Sequence, residues 1–217
     1  MALKKFFVSA WTLFIFSGAV FAGHPLVTDD AGVVPREAYE LEVGYESSRD
    51  ASDLIDNNAG ISFKHGITEK MDIGFSMPYH VDPAETENLG PVSVGAKFSL
   101  IKDTLALSLA NELGAKDYYI NAIYSREIAA VKCSLNAGYL STGDAAVKGI
   151  GSYGVSAELP VGKFDILCEL QAQEGGSGNG LAGLRYHLLE NIFVAAGFSK
   201  DFQTTANKLT LGSHLEF

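Results

Sequence analysis

Cysteine is almost absent. Cys133 and Cys168 are the only two in 217 residues. A small exported disulfide scaffold needs more. Both fall on the apolar phase of their segments, two segments apart, so free thiols are expected rather than a bridge. Charge is scarce as well, at 19% where a quarter is usual. Basic charge is scarcest, with 16 Lys and Arg against 26 Asp and Glu and a net of −10. Nucleic acid needs a basic face, so it is excluded as a partner. Past residue 22 no apolar run is long enough for a spanning helix. Metal clusters, phosphate loops and cofactor motifs are also missing, and neither a metal nor a cofactor is expected. Gly175 to Gly180 reads as a flexible loop, because no helix follows it to cradle a phosphate.

What is present begins with a leader. Lys4 and Lys5 precede an apolar run from Phe6 to Phe16, and Val20-Phe21-Ala22 ends it with a small-x-small pattern. This is the layout of a secretory signal peptide. The expected division is a signal peptide over 1–22, a periplasmic N-terminal segment over 23–37, and a barrel over 38–217.

From residue 38 a period of two recurs without a helical interruption. Tyr39, Leu41, Val43 and Tyr45 alternate with Glu40, Glu42, Gly44 and Glu46. Phe164, Ile166, Cys168, Leu170 and Ala172 do the same near residue 170. Such alternation marks strands with one apolar and one polar face. Twelve segments of this kind follow one another. Their connections alternate between tight turns, such as 68–70 and 189–191, and long polar loops, such as 47–57 and 141–149. An even count with short turns on one side and long loops on the other predicts an all-β fold. Specifically, it predicts a 12-stranded antiparallel transmembrane β-barrel of outer-membrane type, with up-and-down topology.

The aromatic residues suit that reading. Tyr45, Tyr79, Tyr118, Tyr139 and Tyr153 fall at the loop end, and Tyr39, Tyr124, Phe164 and Phe217 at the turn end. Two belts bracketing an aliphatic band fit a bilayer, because tyrosine has an apolar ring and a wet hydroxyl. The expected partners are outer-membrane lipids and lipopolysaccharide. The last strand ends Thr210-x-Gly212-x-x-Leu215-x-Phe217, which resembles the C-terminal signal read by the outer-membrane assembly machinery.

The polar phase should face a lumen. Glu40, Glu42, Lys64, Asp72, Lys97, Lys132, Glu158, Asp165, Glu169, Arg185, His187, His214 and Glu216 belong to it. Most fall toward the turn end, predicting a charged constriction there below a smoother vestibule of Gly, Ser, Asn and Gln. Twelve strands at ~4.8 Å spacing and ~40° tilt give a backbone radius of roughly 12 Å, and side chains would narrow the bore to about 10 Å. Acids outnumber bases in the set, so an open pore would favour cations or neutral solutes. Structural filler carries equal weight for these charges.

Residues 24 to 45 carry a family likeness. Thr28-Asp29-Asp30-Ala31-Gly32, followed by a first strand rich in Glu, resembles the start of the outer-membrane transporter family named for the meta-pathway of phenol degradation. The resemblance in residues covers this stretch and the closing strand. It implies a barrel associated with uptake of small, often aromatic, hydrophobic compounds. The motif residues are Thr28, Asp29, Asp30 and Gly32. Asp29 and Asp30 could pair with Lys64, Lys97 or Arg185 and hold the segment as a partial plug, or cap a local turn.

Three functions compete. The first is a narrow channel or uptake route for a small-molecule solute. The second is a closed structural or adhesive barrel. The third is a lipid hydrolase on a barrel scaffold, which needs a Ser, a His and an acid together near the outer leaflet. No Ser is obviously posed beside His80, so no enzyme is expected.

Overall fold

The computed structural model describes residues 24–83, 88–144 and 146–217. The leader over 1–22 lies outside the described residues. Twelve strands run in chain order: β1 Tyr39–Arg49, β2 Ile55–Thr68, β3 Met71–Asp82, β4 Ser93–Ile101, β5 Leu105–Glu112, β6 Tyr118–Ile128, β7 Val131–Ser141, β8 Ile150–Val161, β9 Phe164–Gln173, β10 Asn179–Leu189, β11 Ile192–Asp201 and β12 Asn207–Glu216. Each pairs antiparallel with its neighbours in sequence, and β1 pairs with β12 to close the barrel. The closing register runs from Glu40 opposite Glu216 to Arg49 opposite Asn207.

The seam is finished by the terminal residue. Tyr39 N–H donates to the Phe217 carbonyl at 2.7 Å, and Phe217 N–H donates back to Tyr39 at 3.0 Å. Their rings stack with centroids 5.5 Å apart. Closure gives every strand a neighbour on both sides, which is how a sheet removes its own liability to aggregate.

One wall section departs from regular pairing. β3 and β4 pair only from Met71–Phe98 to Ser76–Ser93. Beyond that point β3 carries Pro78, which has no N–H to offer. Its carbonyl instead accepts from Gly90 N–H at 2.9 Å, so the connecting loop folds back where β4 has ended.

Burial follows the period of two, but with the usual polarity inverted. Leu135, Leu170, Leu184, Phe198 and Leu211 point outward and are exposed, while Asp72, Ser108, Ser134 and Thr210 are fully buried within. Tyr79 and Tyr139 are exposed on the outer face rather than buried between layers. Cys133 and Cys168 are free thiols on that same outward phase. An apolar exterior of this extent requires a nonaqueous surrounding or a partner to cover it.

Candidate functional site in the barrel lumen

The lumen is occupied by the chain's own N-terminal segment. Of the N-terminal segment expected over 23–37 on the periplasmic side, with a partial plug or a local turn as the two roles of Asp29 and Asp30, residues 24–36 run within the barrel. Thirteen residues, His24 to Arg36, make one circuit of the inner wall and touch all twelve strands in order. Arg36 bridges to Gly66 of β2, and Val34 N–H donates to Asp72 of β3 at 2.9 Å. Lys97 of β4 donates to the carbonyls of Asp30 and Gly32 at 3.2 and 2.9 Å. Ala31 packs on Ala106 of β5 and Ile123 of β6, and its N–H donates to Ser125 at 2.9 Å. Asn136 of β7 accepts from Asp29 N–H at 3.0 Å and donates back to its carbonyl at 2.7 Å. Glu169 of β9 accepts from the N–H groups of Val27 and Thr28. Leu26 packs on Leu167 of β9 and Leu181 of β10.

The remaining strands meet the segment through glycine. A Cβ on Gly154 of β8 would lie 2.5 Å from Thr28 Oγ1. Cβ atoms on Gly183 of β10 and Gly197 of β11 would lie 2.9 and 2.8 Å from the Pro25 ring, and one on Gly212 of β12 2.5 Å from His24 Cβ. Gly44 of β1 faces the His24 imidazole even more closely. These glycines have ordinary strand backbones, so room for the segment, not conformational freedom, is what their missing side chains provide. Thirteen residues at ~3.3 Å each make a ring of radius about 7 Å, which fits inside a backbone radius of roughly 12 Å. The ~10 Å bore expected from the wall alone is therefore taken up by this segment.

Asp29 and Asp30 anchor the ring. Lys97 Nζ meets Asp29 Oδ1 at 2.9 Å with both side chains almost fully buried. Lys132 Nζ meets Asp30 Oδ2 at 2.6 Å, and this pair is partly open to solvent, at 45% and 36% exposure. Asp30 Oδ1 also accepts from Gly32 N–H at 2.7 Å, which is a local turn. The two roles weighed for these residues thus coexist. Their lysine partners are Lys97 and Lys132, while Lys64 and Arg185 are engaged with wall acids. Burial pushes the Asp29 carboxyl up to about 7, against the pull of Lys97. Burial opposes ionisation of Asp30 too, but Lys132 and Lys97 outweigh it and hold its carboxyl well below the usual range.

The other sequence-predicted charges form two wall networks. In the first, Lys64 pairs with Glu40, and His214 bonds Glu42 at 2.9 Å through Nδ1 and Glu216 at 3.1 Å through Nε2. In the second, Arg185 meets Glu158 at 2.7 Å and Asp165 at 3.3 Å, and His187 meets Asp165 at 2.8 Å. Glu40, His214 and Glu216 hold ligand-type atoms within 4.8 Å of one another. Lys64 and the two imidazole hydrogen bonds fill those directions with protein partners. Acidic loop residues are likewise engaged locally. Asp50 caps Ser52 and Leu54 N–H at 2.7 and 2.9 Å, and Asp56 faces His80 at 3.2 Å.

Above the ring, toward the loop end, Lys208 pairs with Glu46 at 2.9 Å, and the cavity lining is largely polar. Tyr119, Asn136, Ser152, Gln171 and Asn179 surround a cavity of about 50 Å³ whose floor is Val27 and Thr28.

No protein-family model matches the chain, and no curated protein matches it in sequence. Solved structures match in fold. An outer membrane channel from Pseudomonas putida F1 superimposes with a TM-score of 0.60 at 14% identity, over 87% of this chain and 98% of that one. The KdgM porin gives 0.59 at 10% identity over 81% and 99%. The NanC porin gives 0.59 at 9% identity over 81% and 98%. In fold, this chain is a porin-like twelve-stranded barrel.

Sequence reasoning overlooked the inward apolar residues. Ala106, Ile123, Leu167 and Leu181 sit on the polar phase, where they receive Ala31 and Leu26. Phe193 lies there too, stacked on His214 with centroids 4.3 Å apart and beneath the Arg185 guanidinium. The available signal was a polar phase interrupted by Leu167, Leu181 and Phe193 on β9 to β11. A second was the row Gly154, Gly183, Gly197, Gly212 and Gly44 along one side of the wall.

Proposed function

We propose that this protein is an outer-membrane channel that admits small solutes when its N-terminal segment leaves the wall. The observation that carries the reading is what fills the lumen: residues 24–36, ahead of the first strand, rather than the wall's own side chains. A purely structural barrel can fill itself with large wall residues, as small barrels do. Here five wall strands meet the segment at a glycine, and the filling is a segment ahead of β1 rather than wall side chains. Fixing each of its residues costs on the order of 1–2 kcal/mol. Each charge-assisted hydrogen bond offsets on the order of 1.5–3. Docking sets these opposing terms against each other.

Several features support the setting. The exterior is aliphatic between aromatic belts, as a bilayer-facing barrel requires. The similar solved structures include proteins named as an outer membrane channel and as porins. The leader fits export, and the Thr210, Gly212, Leu215 and Phe217 pattern fits hand-over to the assembly machinery. The likeness at Thr28 to Gly32 points to small hydrophobic or aromatic compounds, and the inward Ile123, Leu167, Leu181 and Phe193 give such compounds apolar wall to slide on. A closed structural barrel remains the competing reading if the segment never leaves.

Liposome swelling with solutes of graded size decides between them. The full chain should admit small solutes and exclude those wider than about 10 Å, the bore expected of a cleared lumen. Absence of swelling with every solute, for the full chain and for variants that loosen the segment, would leave only the closed barrel.

A further inference from the structure

Three consecutive residues of the docked segment are held by their main chain. Glu169 accepts from Val27 N–H at 2.9 Å and from Thr28 N–H. Asn136 accepts from Asp29 N–H at 3.0 Å and donates to the Asp29 carbonyl at 2.7 Å. Asn121 donates to the same Asn136 oxygen at 2.8 Å, which fixes the direction of that amide. Glu169 is itself buried, at 3% exposure, so its carboxylate needs such donors. Contacts of this kind ignore side-chain identity. What suits residues 27–29 suits the main chain of another extended peptide.

The wall between these two side chains is cleared. Asn136 of β7 stands opposite Gly154 of β8, which stands opposite Gln171 of β9. A Cβ on Gly154 would meet Thr28 Oγ1 at 2.5 Å, so its absence lets a main chain lie close to the wall. One residue earlier, Leu26 rests on Leu167 and Leu181, which is an apolar seat for a side chain.

The vestibule leads to this stretch. Val27 and Thr28 are its floor, and Asn136, Gly154 and Gln171 belong to its walls. A solute entering from the loop end meets residues 27 and 28 first. On the way it passes Tyr119, Ser152, Gln173 and Asn179, all uncharged donors or acceptors.

We propose that Glu169 and Asn136, flanking Gly154, form a binding site for the main chain of short neutral oligopeptides, which enter from the loop end and take the place of residues 27–29. The exchange replaces one amide backbone by another, so each wall group trades its partner for a like one. This deepens the channel reading above by naming a solute class, and it narrows the expected cations or neutral solutes to neutral amides. The segment is tethered to β1, so a free peptide competes with it at concentrations of about millimolar order.

The test uses the full chain in liposomes with two neutral probes, acetyl-Leu-Ala-Ala-Ala-amide and the same peptide methylated on its three alanine nitrogens. Methylation removes the N–H groups that correspond to those of Val27, Thr28 and Asp29. After subtraction of the rate in protein-free liposomes, the unmodified peptide should enter about tenfold faster, with saturation in the millimolar range. In a chain with Cys133 and Cys168 replaced by Ala, it should also speed the maleimide reaction of a Thr28→Cys probe several-fold, because residue 28 is displaced. In Asn136→Leu the preference for the unmodified peptide should fall to within about twofold. Resistance to detergent unfolding at room temperature checks that this variant is intact, and the comparison of the two peptides on the native chain needs no variant. Equal entry of the two peptides, or an undiminished preference in Asn136→Leu, would overturn the proposal. If other small solutes enter while the peptide leaves the Thr28→Cys rate unchanged, the channel stands and the peptide site falls. If the peptide speeds that reaction but no solute enters, even through a folded Glu169→Ala variant, the site stands and the channel reading falls.

Discussion

Pro25 lies flat against Gly197, with the segment's ring where a side chain on β11 would have to be. A Cβ on Gly197 would sit 2.8 Å from Pro25 Cβ and 2.9 Å from Cγ. A proline ring cannot swing aside as a long side chain can. Gly197→Val suits the strand by propensity but removes this seat. The variant should fold, lose docking of residues 24–26, and conduct more than the native chain in planar bilayers. Unchanged conductance would mean that this end of the segment does not obstruct the route.

Glu169 supports the segment from the other side of the ring. Its carboxylate accepts from two consecutive backbone N–H groups, at 2.9 Å from Val27 and closer still from Thr28. Glu169→Ala leaves both donors without their partner, at a cost of about 1–3 kcal/mol for each if they stay buried. The segment should lift instead. A Thr28→Cys probe in that background should react with a water-soluble maleimide at least tenfold faster than in the parent. Glu169→Gln, which keeps one acceptor oxygen, should fall between the two.

Acid should favour the docked state above pH 4. The Asp29 carboxyl titrates near 7 when docked, against 3.8 for a free side chain. A raised value means that the docked form holds the proton more tightly. Docking therefore gains as pH falls from about 7 toward 4, and is weakest above 7. Lys97, Lys64, Asp30 and Asn136 face Asp29 from the packed elements, and Asp30, held low, works in the opposite sense only in stronger acid. The open fraction should drop between pH 8 and pH 5, by at most tenfold per pH unit. Asp29→Asn should abolish most of this dependence. Persistence of the full dependence in that variant would assign it to the histidines of the wall.

The closing seam makes its own prediction. Phe217 contributes both backbone hydrogen bonds to Tyr39 and a ring that stacks on it. Deleting Phe217 should lower the yield of barrel resistant to detergent unfolding several-fold, whereas Leu209→Ala, which also sits outward on β12, should lower it less. Equal losses would remove any special role for the terminal residue.

The fold was legible because its cause is local. A period of two states which face each residue takes, and the inverted partition at Leu170 against Gln171 holds whichever strands are neighbours. The belts at Tyr79 and Tyr139 were readable for the same reason. The ring inside the barrel was not. Residues 24–36 carry no period, and their contacts lie many tens of residues away, as Thr28 with Glu169 and Asp29 with Lys97 illustrate. The Asp29-Asp30 pair drew notice as charge, but charge alone could not select Lys132 over Lys64 or Arg185. The path of the segment decided that choice, because it brings Asp30 to Lys132 of β7 while Lys64 pairs with Glu40 and Arg185 with Glu158 and Asp165.

A disulfide across the docked segment tests the central claim most directly. A Cβ on Gly154 would lie 3.5 Å from Thr28 Cβ, within the separation a disulfide spans. In a chain with Cys133 and Cys168 replaced by Ala, Thr28→Cys with Gly154→Cys should therefore bridge segment to wall. Single-channel recording should find the oxidised protein silent and the reduced protein conducting. Equal conductance before and after reduction would place the solute route somewhere other than past residues 24–36, and would contradict the account.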